Sequence, residues 1–267
     1  MRAYRVAYDG RPYNGFQRQP DVPTVEDALL DALERLGVRD RADGPPPGYA
    51  AAGRTDAGVS ALAQTVAFEA PEWLSPSAFN GRLPDDVRVW ASAAVGDDFH
   101  ATHDAVERRY RYFLHAPDVD DRRARDTLAA LCGEHDFHNL TPDGEGTVRV
   151  LDGSFTRDGP FLVVDLRAGG FPRQLVRRVV GLVAAVARGD APPAKVDRVL
   201  GADEVDGPDG VAPAPAAPLV LTGVDYPGVT FDADPDAAAD ARAVFAALRA
   251  ERRAAASVAG CVADRLP

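Results

Sequence analysis

The sequence predicts an α+β chain of two similar halves whose sheets can join into one. Two observations carry this. Stretches of alternating apolar and polar residues, the pattern of half-buried strands, are interleaved with stretches whose apolar residues recur every three or four positions, the pattern of helices packed on one face. The order strand, helix, strands then occurs twice, separated by a break near 96–105. We therefore expect an N-terminal half over 1–100, a second half over 101–228 and an Ala- and Asp-rich helical extension over 229–267.

Taken in order, Tyr4, Val6 and Tyr8 alternate as a strand, and 9–15 are rich in turn formers. Thr24 suits an N-cap, because its hydroxyl can accept from backbone N–H groups that the first helical turn leaves free. It opens a helix with Val25, Ala28, Leu29, Ala32, Leu33 and Leu36 on one face, closed by Gly37. A Pro/Gly loop over 43–48 follows. Strands are expected at 63–69 and 87–95, with a short helix from Ser75-Pro76 that stops before Leu83-Pro84. In the second half the alternation places strands at 108–115, 147–156, 160–168 and 219–224. Helices are expected near 121–132, ended by Gly133, and from Pro172 to Gly189, the latter with Leu175, Val179, Leu182 and Val186 on one face. Residues 203–218 read as loop, and the tail from Asp232 as helix through Phe245 and Leu248.

Composition removes several classes of function. Hydrophobic residues make up 46% of the 267, ample for a core. The longest apolar run, 179–187, has nine residues, whereas a membrane span needs about 20. Residues 1–5 lack the apolar stretch of an export signal. Cys132 and Cys261 have no C-x-x-C partners, so a reducing cytoplasm is the expected location. The His100/His103 and His135/His138 pairs lack both a Cys neighbour and the i, i+4 spacing of helical ligands, and no metal site is expected. No phosphate-binding glycine loop, dinucleotide fingerprint or G-x-S-x-G is present. The 41 acidic residues against 30 basic ones leave a net charge of −11, and Lys195 is the sole lysine. Such a balance argues against a polyanionic partner, unless the protein works in molar salt, where charges are screened beyond about 3 Å. The arginines are bunched at Arg108, Arg109 and Arg111, at Arg122, Arg123 and Arg125, and at Arg173, Arg177 and Arg178, which suggests a local arginine-lined cleft.

The densest chemical signal is Ala52-Gly53-Arg54-Thr55-Asp56-Ala57-Gly58-Val59, where two glycines bracket Arg, Thr and Asp between strand-like segments. Glycines there permit a tight turn and close approach of a ligand. Asp56 can serve as nucleophile or base, with Arg54 holding a phosphate or orienting the carboxylate. The same residues also suit an ordinary Asx-type turn with a surface ion pair. In the strand at 108–115, Tyr110 and Tyr112 share one face and Arg109 and Arg111 the other. Aromatics interleaved with arginines grip unstacked bases and their phosphates, and equally describe a half-buried strand with exposed arginines. Arg177, on a helix face with small Gly181 and Ala184, either meets an acidic partner or lies at the surface, because an unpaired buried charge is costly.

These residues together resemble the TruA-type tRNA pseudouridine synthase family over about 4–226. Matching features are Tyr8-Asp9-Gly10 with Tyr13, Gly15-Phe16-Gln17, Thr24-Val25-Glu26, the Gly-Arg-Thr-Asp-Ala-Gly block at 53–58 and Leu83-Pro84-Asp85-Asp86-Val87. Phe99-His100-Ala101, Arg108-Arg109-Tyr110-Arg111-Tyr112, Val176-Arg177 with Val180-Gly181, and Ala216-Ala217-Pro218 through Tyr226 complete the set. The resemblance implies a mainly antiparallel sheet flanked by helices and built from two related halves. It also implies conversion of uridine to pseudouridine at positions 38, 39 and 40 of the tRNA anticodon stem and loop. Asp56 is then the catalytic carboxylate, Arg177 its partner, Tyr110 the residue packed against the target base and Arg54 one that helps hold the flipped nucleotide. The family acts as a homodimer without metal or organic cofactor. Ser60, Thr102 and Arg178 depart from residues usual in the family, and the tail beyond about Gly228 has no recognised counterpart in the resemblance. An acid-rich surface built for salt carries its own test: the thermal midpoint should climb from dilute buffer to molar KCl, and a midpoint that peaks at low salt would remove that explanation.

Overall fold

The structure, a computed structural model, describes residues 1–205 and 207–266. In the first half, β1 (Arg2–Tyr8) leads through the turn-rich segment to α1 (Val25–Arg35). Thr24 caps that helix, its hydroxyl accepting from Asp27 N at 3.2 Å, and Gly37 follows at φ 69°. Short β2 (Ala50–Ala51) and long β3 (Ser60–Phe68) flank the loop with the Gly-Arg-Thr-Asp block. α2 (Pro76–Asn80), capped by Ser75, precedes β4 (Val87–Ala94). The second half runs β5 (Glu107–His115), α3 (Asp121–Leu131), β6 (Gly133–Asp136), β7 (Val148–Asp158), β8 (Phe161–Ala168), α4 (Leu175–Arg188), α5 (Lys195–Val199) and β9 (Leu219–Asp225). β10 (Asp232–Ala233) then returns to the first half before α6 (Pro235–Ala263).

All ten strands form one sheet in the order β10-β4-β1-β3-β9-β5-β8-β7-β6, with β2 beside β3. β1 lies between β3 and β4, as β5 lies between β8 and β9, and both trios are antiparallel. They abut where β3 meets β9, the one parallel pairing among the described residues, through Ser60↔Val220 and Ala61↔Leu221. Strand alternation turns Tyr4, Val6 and Tyr8 toward α1, in a core with Leu29, Leu30 and Leu33. In the second half Tyr112, Leu114 and Val164 pack with Val179, Leu182 and Val183 of α4.

The α+β architecture thus agrees with the sequence reading, while several local expectations need correction. The helix expected from Pro172 begins at Leu175, because Gln174 sits at φ 62°, a left-handed conformation that helices of L-residues do not carry. The strand expected from 63 starts at Ser60, since its first two residues are recruited by β9. β6, with sequence Gly-Glu-His-Asp, lacks strand-forming side chains and exists through its pairing with β7 at the sheet edge. Asp232 and Ala233 pair with β4 rather than joining the helix, which Asp234 caps by accepting from Ala237 N at 3.0 Å.

One glycine ties β1 to the loop above it. A Cβ on Gly10 would stand 1.9 Å from the Val59 carbonyl oxygen. Gly10→Ala should therefore cost about 1–3 kcal/mol in a urea titration, the usual range for overpacking. Gly53→Ala, whose added methyl meets nothing within 4 Å, should stay within about 0.5 kcal/mol of wild type.

Candidate active site at the seam between the halves

The loop over 52–59 is held from below by buried polar groups. Gln64, fully buried on β3, donates to the Gly53 carbonyl at 2.8 Å. Tyr8 and Thr55 share a hydroxyl–hydroxyl hydrogen bond of 2.7 Å, and the Thr55 carbonyl accepts from Phe16 N at 3.0 Å. Val59 N closes a turn onto the Asp56 carbonyl at 3.1 Å, with Gly58 at φ 81° in the third position, as a type II turn requires. Asp56 therefore projects from the first corner of a turn whose backbone is pinned at both ends.

Arg177 comes to it from the other half. It sits in the first turn of α4, and its Nη1 donates to Asp56 Oδ2 at 3.0 Å while its Nε donates to the Ala214 carbonyl at 2.7 Å. The helix reaches this close because residue 181 is glycine: a Cβ there would stand 2.4 Å from the Ala212 carbonyl oxygen. The two side chains are only 16% and 25% exposed, so the pair lies mostly out of water. Removing either partner would strand a charge there, which is costly.

Tyr110, on β5, packs against both cores and lines the same cleft as Arg54, Asp56, Phe171 and Gln174. Its ring meets Phe171 edge-on, with centroids 5.1 Å apart. Burial lifts the phenol pKa to about 12, with Arg108 pulling the other way, so Tyr110 is a neutral aromatic surface at any working pH. Arg54 is exposed at the mouth of the cleft, without a hydrogen-bond or ion-pair partner among the described residues. The site thus joins a fixed carboxylate, an arginine that orients it, an aromatic face and a free guanidinium. That set suits chemistry on a flat ring linked to a phosphorylated sugar.

Of the bunched arginines, Arg173 and Arg177 line the cleft beside Arg54, while the rest are engaged elsewhere. Arg109 pairs with Asp225 at 2.6 Å and Arg111 with Asp165 at 2.8 Å, on the sheet face opposite Tyr110. Arg108 is spent on carbonyls, donating to Ala52, Thr102 and Gly169 at 2.9, 2.7 and 2.6 Å. Arg123 faces Asp120, Arg173 faces Asp143, and Arg125 lies over the Phe155 ring. Strand alternation and local aspartates disperse what the linear sequence bunches. Nor do the histidine pairs build a metal centre: among the described residues, no three His, Cys, Asp or Glu side chains converge.

Comparison with known proteins decides the family. A family model described as tRNA pseudouridine synthase matches residues 128–227. The chain is 64% identical to the tRNA pseudouridine synthase A of Haloarcula marismortui over the whole of both chains. It is 61% identical to that of Natronomonas pharaonis over 98% of each, and 36% identical to that of Methanocella arvoryzae over 87% of this chain and 86% of the other. The chain belongs to the tRNA pseudouridine synthase family. Its acid-rich, nearly lysine-free composition accords with its similarity to proteins of halophilic archaea.

In this family member, the residues that depart from family habit serve the scaffold. Ser60 Oγ accepts from Gly10 N at 3.1 Å, Thr102 donates its hydroxyl to the Ala51 carbonyl at 2.5 Å, and Arg178 donates to the Val211 carbonyl at 2.6 Å. Three residues of the site region were not singled out from the sequence: Gln64 beneath the loop, Phe171 and Gln174 in the cleft wall; Tyr8 was read as a strand residue without a role at the site. A glutamine amid the apolar residues of β3 was the one readable signal. Tyr8→Phe should cost about 1–3 kcal/mol, because it leaves the buried Thr55 hydroxyl without its partner. A double-mutant cycle with Thr55→Val should recover much of that loss, and full additivity of the two changes would show that the hydroxyls act independently.

Proposed function

We propose that this chain converts uridine to pseudouridine at positions 38, 39 and 40 of tRNA, in the anticodon stem and loop. It acts as a cytoplasmic homodimer. The observation that carries the reading is the Asp56–Arg177 pair, set beside Tyr110 in one cleft of a chain that belongs to this family. The reaction breaks the C1′–N1 glycosidic bond, turns the uracil and joins C5 to C1′. The C5 proton leaves and N1 takes one up, so no oxidant or second substrate is needed. Asp56 is the group that begins this, by attack on C1′ or by removal of the 2′ proton. Arg177 orients the carboxylate and carries its counter-charge. A base within a stem must first be flipped out, at a cost of a few kcal/mol. Packing against Tyr110 returns about 1–3 kcal/mol of it. Arg54, exposed at the mouth and without an ion-pair partner among the described residues, takes the phosphate of the flipped nucleotide.

Among the described residues, no helix is long and apolar enough to cross a membrane, and both cysteines are free. Both facts are compatible with the location proposed.

The deciding assay uses unmodified tRNA transcript in molar KCl, with pseudouridine mapped by carbodiimide adduct and primer extension. Wild type should produce stops at positions 38 to 40. Asp56→Asn should produce none while still binding RNA, since the cleft and Arg54 remain. Binding without turnover by the wild type would instead make this a non-catalytic RNA-binding protein of the same fold.

A further inference from the structure

Residues 171–174 form one wall of the cleft that holds Asp56 and lead into α4. Their backbone is held from outside the cleft. Thr141 Oγ1 donates to the Arg173 carbonyl at 2.9 Å, and Arg173 N donates to Asp143 Oδ2 at 2.7 Å. Leu175 N donates to the Pro172 carbonyl at 3.1 Å, which puts Gln174 in the third position of a turn, at φ 62° and ψ 0°. Turns with a positive φ there favour glycine, because a Cβ crowds the left-handed backbone. Among the described residues, Asp21 is the one other non-glycine residue with a positive φ. Capping does not account for a glutamine at this position, since its side chain makes no bond to the first turn of α4.

The side chain does have one partner. Arg178 Nη2 donates to Gln174 Oε1 at 3.3 Å, while Arg178 Nη1 is anchored on the Val211 carbonyl at 2.6 Å. A guanidinium only donates, so this contact fixes which end of the amide is the oxygen. Nε2, with its two N–H donors, is left without a hydrogen-bond partner among the described residues, on a side chain that lines the cleft with Asp56, Tyr110 and Arg177. Arg177 has already given Nε to the Ala214 carbonyl and Nη1 to Asp56. Gln174 therefore adds a neutral donor beside an arginine that is engaged.

We infer that Gln174 Nε2 binds a carbonyl oxygen of the target uracil and selects that base through the turn the reaction imposes. The inference rests on the reading of Asp56 and Tyr110 given above. Breaking C1′–N1 and joining C5 to C1′ turns the ring by half a revolution about the line through N3 and C6. That rotation exchanges N1 with C5 and O2 with O4, so the ring edge carries a carbonyl in the same place before and after. One fixed donor can thus hold the detached base at both ends of its turn. Cytosine carries an amino group at C4 and would bring donor against donor at one end. An amide free to flip would accept from cytosine as readily as it donates to uracil. Arg178, one of the residues that depart from family habit, removes that freedom by holding Oε1.

Glycine is the informative replacement, because it suits the backbone of residue 174 and removes only the amide. Gln174→Gly should melt close to wild type and bind tRNA with unchanged affinity. Its single-turnover rate on unmodified transcript in molar KCl should fall about tenfold, the order for losing one hydrogen bond to a neutral group. Gln174→Glu keeps the Arg178 contact but has no donor, and should fall at least as far. Synthetic tRNA with 2-thiouridine or 4-thiouridine at position 39 then tests the contact itself. One of the two sulfur substitutions should slow wild type, because sulfur is the weaker acceptor, and should add no further loss in Gln174→Gly. A wild-type rate in Gln174→Gly overturns the inference and leaves the role of Asp56 standing. Slow variants without that coupling overturn it too, since the glutamine would then act on the cleft wall rather than on the base. A wild type that fails to convert uridine overturns the inference and the proposed function together.

Discussion

Everything at the site depends on a short piece of parallel pairing. Ser60 and Ala61 of β3 lie against Val220 and Leu221 of β9, and this seam makes one sheet of two antiparallel trios. The loop with Asp56 ends where β3 enters the seam. On the other side, the segment leading into β9 is bonded to α4 in both directions: Ala214 N donates to the Arg177 carbonyl at 2.9 Å, and Arg177 Nε to the Ala214 carbonyl at 2.7 Å. Gly58 and Ala216 close the contact, with a Cβ at residue 58 standing 3.4 Å from that of Ala216. The carboxylate and its arginine are thus delivered by different halves, and their spacing is set by the backbone of the seam.

A pair assembled this way needs rigid support, because a carboxylate on a loop has no helix or strand of its own. The support here is polar and buried. Tyr8 and Thr55 bond to each other beneath the loop, and Gln64 holds the loop's Gly53 carbonyl. Buried polar groups of this kind are costly when unsatisfied and rigid when satisfied. The same economy explains Arg108, whose guanidinium joins Ala52, before the loop, to Gly169, before the cleft wall. An arginine that the sequence offers as an RNA contact serves instead to clamp the two sides of the cleft.

The acid-rich surface changes how the arginines are used. Aspartates across neighbouring strands or one helical turn away neutralise many of them, giving ladders such as Arg109–Asp225 and Arg111–Asp165 on the open face of the sheet. Long-range attraction is of little use where salt screens it within a few ångströms, so recognition falls to groups that touch the substrate directly. Arg54 at the cleft is exposed and has no ion-pair partner among the described residues, which fits that logic.

Periodicity, caps and turn residues are local properties, and they were enough to expect an α+β chain of two halves, the span of α1, the alternation of β5 and the Gly-Arg-Thr-Asp-Ala-Gly loop. Resemblance added the roles assigned to Asp56, Arg177, Tyr110 and Arg54. What the tertiary structure decided is non-local. Asp56 and Arg177 are 121 residues apart in the chain, and no pattern within either segment encodes their contact. β6 is a strand through its neighbour, Gln174 is left-handed because the chain must enter α4 from the cleft wall, and the arginine clusters scatter because adjacent strand residues face opposite ways. Sequence determines the conformations that neighbouring residues can settle between themselves. Packing decides which distant groups share a dry cleft, because that is settled only when the sheet closes.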